Sequence, residues 1–314
     1  MTNPINPGPQ EQRSILQTIF ISYEESRLRA GWRLLLQSLL LGVIMVILEL
    51  ITDQGIGLLS EITYVGFLLL GALVASLAVT LSVYLARRFL DRRSFVSLGL
   101  RVNSQSLVDL LFGIALTGLM MGIIFLALWA LNWIQIESFA WQVESWANVT
   151  TSILAMIALF AFVSWQEELL IRGYWLQNLS AGLSQSLGVL LSSAVFALAH
   201  WFNPNLDWLG LMGLFLAGLF LAYGYLRTRQ LWLPLGLHLG WNFFEGTLFG
   251  FPVSGQYQYQ LIRQTVTGPD LITGGAFGPE AGLIMLPVLL LGAAGIYWYT
   301  QTRNPAQRDQ PDSA

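Results

Sequence analysis

Long apolar stretches alternate with short polar connections from residue 31 to residue 300 of this chain. A bilayer core about 30 Å thick needs about 20 apolar residues in a helix, and eight stretches approach that ruler. They are Gly31 to Ile51, Ile62 to Ala86, Leu107 to Leu131, Val149 to Leu176, Leu187 to Trp201, Trp208 to Leu226, Leu231 to Phe249 and Gly282 to Thr300. The fifth is the shortest, and it suits a short span, a helix packed inside a bundle or a re-entrant segment. The pattern predicts an all-α, multi-pass transmembrane helical bundle of about eight spans. Ahead of it, residues 1–30 are Pro- and Asn-rich and hold one apolar run, Ile15 to Ile21. That run lacks the basic flank and the small-residue cleavage site of a secretory signal, so it reads as an interfacial helix.

Composition supports this picture. Of 314 residues, 55% are hydrophobic and 11% charged, against about 25% charged in soluble domains. Charge also orients the spans, because Arg and Lys accumulate in cytoplasmic loops. All 15 basic residues are Arg. With a cytoplasmic amino terminus, every arginine falls inside except Arg263, in the loop from Phe251 to Ala281, and Arg172, within the fourth span. Removing the short fifth span would move Arg227 and Arg229 outside, so eight spans with both termini cytoplasmic fit best. Trp and Tyr gather at span ends, as in Trp32, Trp133, Trp208 and Trp298, forming an aromatic belt.

Several function classes drop out. A net charge of −3 provides no basic field for nucleic acid. The absence of Cys excludes disulfides, thiolate metal sites and a Cys nucleophile. Motifs of soluble enzymes such as HExxH, GxSxG and the Walker loop are missing. No polar connection is long enough for an independent core, so chemistry is expected within or beside the bilayer, with the lipid bilayer itself as a partner.

Ionisable side chains within a span mark sites or pathways, and three clusters meet that description: Gln166, Glu167, Glu168 and Arg172 in the fourth span, His200 in the fifth, and His238 with Asn242 in the seventh. Glu168 and Arg172, four apart, share a helix face and can pair, while Glu167 points about 100° away. Arg172 would then neutralise Glu168 and leave Glu167 less compensated, as suits a general base. His238 and Asn242 are one turn apart and suit an oxyanion. Each feature alone has a structural reading, as a buried ion pair or an interhelical hydrogen bond. Together they form the set for acyl hydrolysis by activated water. Glu245, Asp109 and Glu49 lie nearer span ends and read as interfacial.

These residues resemble a known family. Glu167-Glu168-Leu169-Leu170-Ile171-Arg172 is similar to its EExxxR motif, Phe196-Ala197-Leu198-Ala199-His200 to its FxxxH motif, and His238-Leu239-Gly240-Trp241-Asn242 to its HxxxN motif. The family is that of the CPBP intramembrane proteases, also called Abi or CAAX-protease-and-bacteriocin-processing proteins, with the Rce1-type CAAX prenyl endopeptidases among them. The similarity covers Val149 to Leu248. It implies hydrolysis of a peptide bond in a peptide or membrane-associated protein, with Glu167 and His200 activating water, His238 and Asn242 stabilising the oxyanion, and Glu168 and Arg172 supporting the site. Nothing points to a prenylated substrate. Two His and one Glu also make a set that zinc hydrolases use. The metal-free mechanism is favoured, with zinc on Glu167, His200 and His238 as the alternative.

The expected organisation is a cytoplasmic tail with interfacial helix (1–30), amino-terminal spans (31–148), a catalytic core (149–250), an outer loop (251–281) and a last span with a cytoplasmic tail (282–314). The expected location is the cell membrane, with the site towards the cytoplasm. At about 1.5 Å per residue from the cytoplasmic span ends, His238 lies about 10 Å deep, Asn242 about 16 Å, Glu167 about 13 Å and His200 about 20 Å, which agree only loosely. The rival from another class is a non-proteolytic scaffold of the same fold. A proton-coupled transporter ranks below both, since no inverted repeat is visible. The loop 251–281 is expected to be a passive connector, with a gate on access as the alternative.

Overall fold

A computed structural model describes residues 19–22, 27–56 and 64–301. Most of the expected interfacial helix lies outside the described residues, as do Arg13, Arg303 and Arg308; Ile19 and Phe20 are helical. The chain is an all-α bundle with one small two-stranded ribbon. Its helices are α1 (Ala30–Ile56), α2 (Tyr64–Leu85), α3 (Ser104–Ala130), α4 (Trp146–Glu168), α5 (Leu176–Gly182), α6 (Gln185–Ala199), α7 (Trp208–Thr228), α8 (Trp232–Asn242) and α9 (Met285–Gln301). A π-helical segment, Leu169–Trp175, joins α4 to α5 without a break, and another, Phe243–Leu248, extends α8.

Among the described residues five helical segments are long and apolar enough to cross a membrane: Ala30–Asp53, Val65–Leu90, Ser104–Ala130, Trp146–Gly182 and Trp208–Thr228. The other three expected spans are shorter helices, α6, α8 with its π extension, and α9. Polar caps set where several elements begin. Ser145 accepts from the Asn148 amide before α4, Ser184 from Leu187 before α6, and Asp207 from Gly210 before α7, each satisfying an amide that the helix leaves open.

The fourth span does not end at Leu176, and this removes the mismatch between Glu167 and His200. Helix continues to Gly182, and α6 turns back from Gln185. Glu167 precedes Leu183 by 16 residues and His200 follows Ser184 by 16, so the two legs of this hairpin bring them to one level, about 24 Å from the turn.

In lipid, helices associate through close packing more than through hydrophobic burial, and small residues permit it. Helix α8 carries Gly236 and Gly240 against α3. A β-carbon at Gly236 would meet the Leu110 carbonyl oxygen at 2.1 Å, and one at Gly240 would meet the Thr117 hydroxyl at 2.3 Å. This Gly-Leu-His-Leu-Gly stretch seats the backbone on α3 and turns His238 the other way, towards α4. The main buried cluster lies along the same contact and includes Met120, Met121, Ile124, Leu237, Trp241 and Phe196.

The loop 251–281 is not a passive connector. Its strand β2 (Ile262–Val266) pairs antiparallel with β1 (Ile134–Phe139), Ile134 opposite Val266 and Phe139 opposite Ile262, with an irregularity between Ile136 and Ser138. Neither strand was expected. Short turns then fold the rest of the loop inward, burying Phe251, Val253, Ser254, Phe277 and Glu280. Two residues read as interfacial are also buried. Glu245 is fully enclosed, and Asp109 accepts from the Tyr299 hydroxyl at 2.5 Å.

Candidate active site

A cavity of about 640 Å³ opens among the helices. One end is apolar, walled by Leu41 and Met45 of α1 and Phe67, Ala72 and Val79 of α2. The other is polar, lined by Glu167, His200, His238 and Asn242. All four candidate reacting residues therefore face one space, although they come from α4, the end of α6 and α8. Glu168 and Arg172 stand immediately behind them.

The support is a buried ion pair with directional partners. Arg172 Nη1 donates to Glu168 Oε1 at 2.6 Å and Nη2 to the Gly218 carbonyl at 3.2 Å. Both side chains are buried, and all the Glu168 hydrogen bonds fall on Oε1, since Oε2 has no partner among the described residues. The Arg172 guanidinium also stacks over the Phe196 ring, 4.4 Å from its centre. Phe196 is thus more than a motif letter. Its ring meets His238 edge-on at 6.0 Å between centres, and its carbonyl accepts from His200 Nδ1 at 2.9 Å.

These contacts assign the imidazole protons. A carbonyl oxygen only accepts, so His200 carries its proton on Nδ1 and presents Nε2 as a lone pair. His238 Nδ1 lies 2.8 Å from Glu168 Oε1, which already binds Arg172, so His238 is the donor there. Both Nε2 atoms then point at Glu167 Oε2, at 4.0 Å from His200 and 3.8 Å from His238. That oxygen forms no hydrogen bond among the described residues. The Glu167 side chain lines the cavity beside two imidazoles too distant for a direct bond.

A tetrahedral zinc with bonds of about 2.0–2.1 Å sets its ligand atoms about 3.3–3.4 Å apart, and both separations from Glu167 exceed that by about half an ångström. Among the described residues no cluster of three or more His, Cys, Asp or Glu is arranged to hold a metal ion. The donors as placed do not fit zinc.

The sequence reading missed the loop's contribution. Ser254, Gln256 and Glu280 line the same cavity, as do Asn203 and Trp241. Glu280 belongs to a Gly-Pro-Glu turn, and a carboxylate beside Pro and Gly in a long connection carries no periodic signal that would place it in a core. Of the three π segments among the described residues, Ala86–Leu90 lies away from the site and the other two begin directly after site residues, one after Glu168 and one after Asn242. Such segments change the direction of side chains and recur at functional sites.

A comparison with family models matches residues 148–244 to the family described as type II CAAX prenyl endopeptidase, Rce1-like. This segment is similar to that family. It spans α4 to the end of α8 and so contains every residue of the polar end of the cavity that comes from a helix. Rce1-like proteins are a protease family, and with five apolar helices the chain is an integral membrane protein. No significant match was found among curated proteins or among solved structures. The loop residues Ser254 and Glu280 lie beyond the Rce1-like segment.

Proposed function

We propose that the chain is an intramembrane endopeptidase that hydrolyses a peptide bond in a peptide or membrane-protein segment by glutamate-activated water. The observation that carries the reading is Glu167 Oε2, unpaired and flanked at 3.8 and 4.0 Å by two imidazole Nε2 atoms in one cavity. Separations of this size admit a water between each pair. Such a water donates to Glu167 and to the His200 lone pair and keeps its own lone pair for a carbonyl carbon. Glu167 takes the proton as the new C–O bond forms. His238, in its doubly protonated form between Glu167 and Glu168, and Asn242, one turn further on, donate to the oxyanion. Glu168 and Arg172 hold His238 in place. No cofactor is assigned to this scheme.

The distribution of arginines supports cytoplasmic termini in the cell membrane. On that orientation the folded loop 251–281 covers the outer side of the cavity, which favours access from the bilayer and the cytoplasmic side.

Membrane-peptide termini compared by mass spectrometry, between cells with the wild-type chain and cells with Glu167→Ala at equal abundance, test the reading. Termini that vanish in the variant name the substrates. Indistinguishable termini, with the cellular phenotype retained, would replace the protease by a scaffold.

A further inference from the structure

The loop 251–281 brings a second carboxyl into the cavity, and its placement is held at three points. The Pro279–Ala281 turn lies so close to α7 that a β-carbon on Gly213 would overlap the Glu280 carbonyl oxygen at 1.8 Å. The Ser254 hydroxyl donates to Glu280 Oε2 at 2.5 Å. Ser254 is itself tied to the His200 turn, since its carbonyl accepts from Asn203 Nδ2 at 2.9 Å and the Asn203 amide donates to the His200 carbonyl at 2.9 Å. Glu280 is buried, yet it lines the cavity together with Glu167, His200 and His238. The fully buried Glu245 packs against the same turn, close to Gly278. Among the described residues neither Glu245 nor Glu280 has an ion-pair partner.

We propose that Glu280 is a second catalytic carboxyl, the general acid that protonates the departing amine. The inference rests on the protease reading above. Two carboxyls enclosed together cannot both ionise at little cost, so Glu245 and Glu280 hold at least one proton between them. Burial raises the Glu280 carboxyl above the ordinary carboxylate range, opposed by the Ser254 hydrogen bond and by the neighbouring imidazoles of His200 and His238. When the tetrahedral intermediate collapses, the C–N bond breaks, its electron pair goes to nitrogen, and nitrogen takes the proton from Glu280. Glu280 is left as a carboxylate. The proton that Glu167 removed from water returns through solvent in the cavity, so the cycle closes without a further reactant. The groups that face Glu280 and share in its titration are Glu245 on the extension of α8, His238 on α8 and His200 at the end of α6.

The test uses the full chain in detergent micelles, a peptide spanning a cleavage site found by the terminal-peptide comparison, and the same peptide with its scissile amide replaced by a thioester. A thiol leaving group with a pKa near 8.5 departs without protonation. Glu280→Gln is expected to lower kcat on the peptide about 100-fold with KM unchanged, to remove the alkaline limb of the pH profile, and to leave thioester cleavage within about threefold. Glu167→Gln is expected to lose both substrates. Equal loss on both substrates with Glu280→Gln, or no loss, overturns the general acid; retention of both with Glu167→Gln overturns the protease reading instead. If Glu280→Gln does not accumulate, Ser254→Ala serves. Removing the hydroxyl raises the Glu280 carboxyl further, so the alkaline limb moves to higher pH, and an unmoved limb overturns the proposal.

Discussion

His238 Nδ1 donates to Glu168 Oε1 at 2.8 Å, on the same oxygen that accepts from Arg172 at 2.6 Å. One buried carboxylate oxygen therefore orients the imidazole and neutralises the guanidinium. On the proposed reading Glu168 and Arg172 are positioning residues. Glu168→Gln keeps the volume but replaces the carboxylate with an amide that cannot hold both donors as firmly. We expect kcat to fall about 10–100-fold with little change in KM, the size seen when groups behind a reacting imidazole are altered. Steady-state kinetics on the identified peptide checks this. Unchanged kcat would show that His238 is held by other contacts.

Glu168→Ala differs in kind because it leaves Arg172 buried without its partner. Breaking a buried pair from one side costs about 3–5 kcal/mol. The variant is expected to melt well below the wild type in detergent, and Glu168→Ala with Arg172→Met to recover much of the loss without recovering activity. Tryptophan fluorescence melts read both variants. A double variant no more stable than the single one would mean that the pair matters through its shape rather than its charge.

Glu280 also links pH to stability. Its carboxyl is raised in the folded protein above the ordinary value of 4.5, mainly by burial, so the native state retains a proton that the unfolded chain releases. That contribution is complete below about pH 4.5 and is lost as pH rises through the folded value. The wild-type melting temperature should fall with pH above this range, and Glu280→Gln should flatten the fall. Melting curves at stepped pH measure it. A steeper slope in the variant would place the raised carboxyl elsewhere.

Gly236→Ala puts a methyl group where the Leu110 carbonyl stands, 2.1 Å from the new carbon. Backbone cannot yield as a flexible side chain does, so α8 must move away from α3 and carry His238 with it. A loss of about 1–3 kcal/mol in stability, together with loss of activity, is expected in melts and assays. Wild-type activity would mean that α8 tilts without shifting the imidazole.

The loop is also clasped at its outer edge. Arg263 pairs with Glu144, and the Tyr259 hydroxyl donates to Glu144 Oε2 at 3.1 Å. Partly exposed pairs contribute about 0–1 kcal/mol, so Glu144→Ala should barely change the melting temperature. Hydrogen exchange across residues 251–281 should nonetheless accelerate, because the contact joins the loop to the approach to α4. Unchanged exchange would assign the loop's order to its buried face alone.

The sequence by itself determined the membrane class, the helical bundle and the candidate polar residues within it. Apolar length is a one-dimensional property with a physical ruler, and a carboxylate, guanidinium or imidazole in a span stands out against that background. Spacing of four also sufficed for the Glu168–Arg172 pair, because both residues lie on one helix. Where helices meet was not legible. The level of His200 against Glu167 followed only once the helix was seen to run through Leu176 to Gly182, since an apolar window does not record where a polar helix continues. The seating of α8 through Gly236 and Gly240 depends on contacts with α3, and the proton positions on both histidines depend on Glu168 and the Phe196 carbonyl. Glu280 was the least legible of all. Its burial comes from a loop folding back over distant helices, and only tertiary packing decides whether a carboxyl between turns faces water or a cavity.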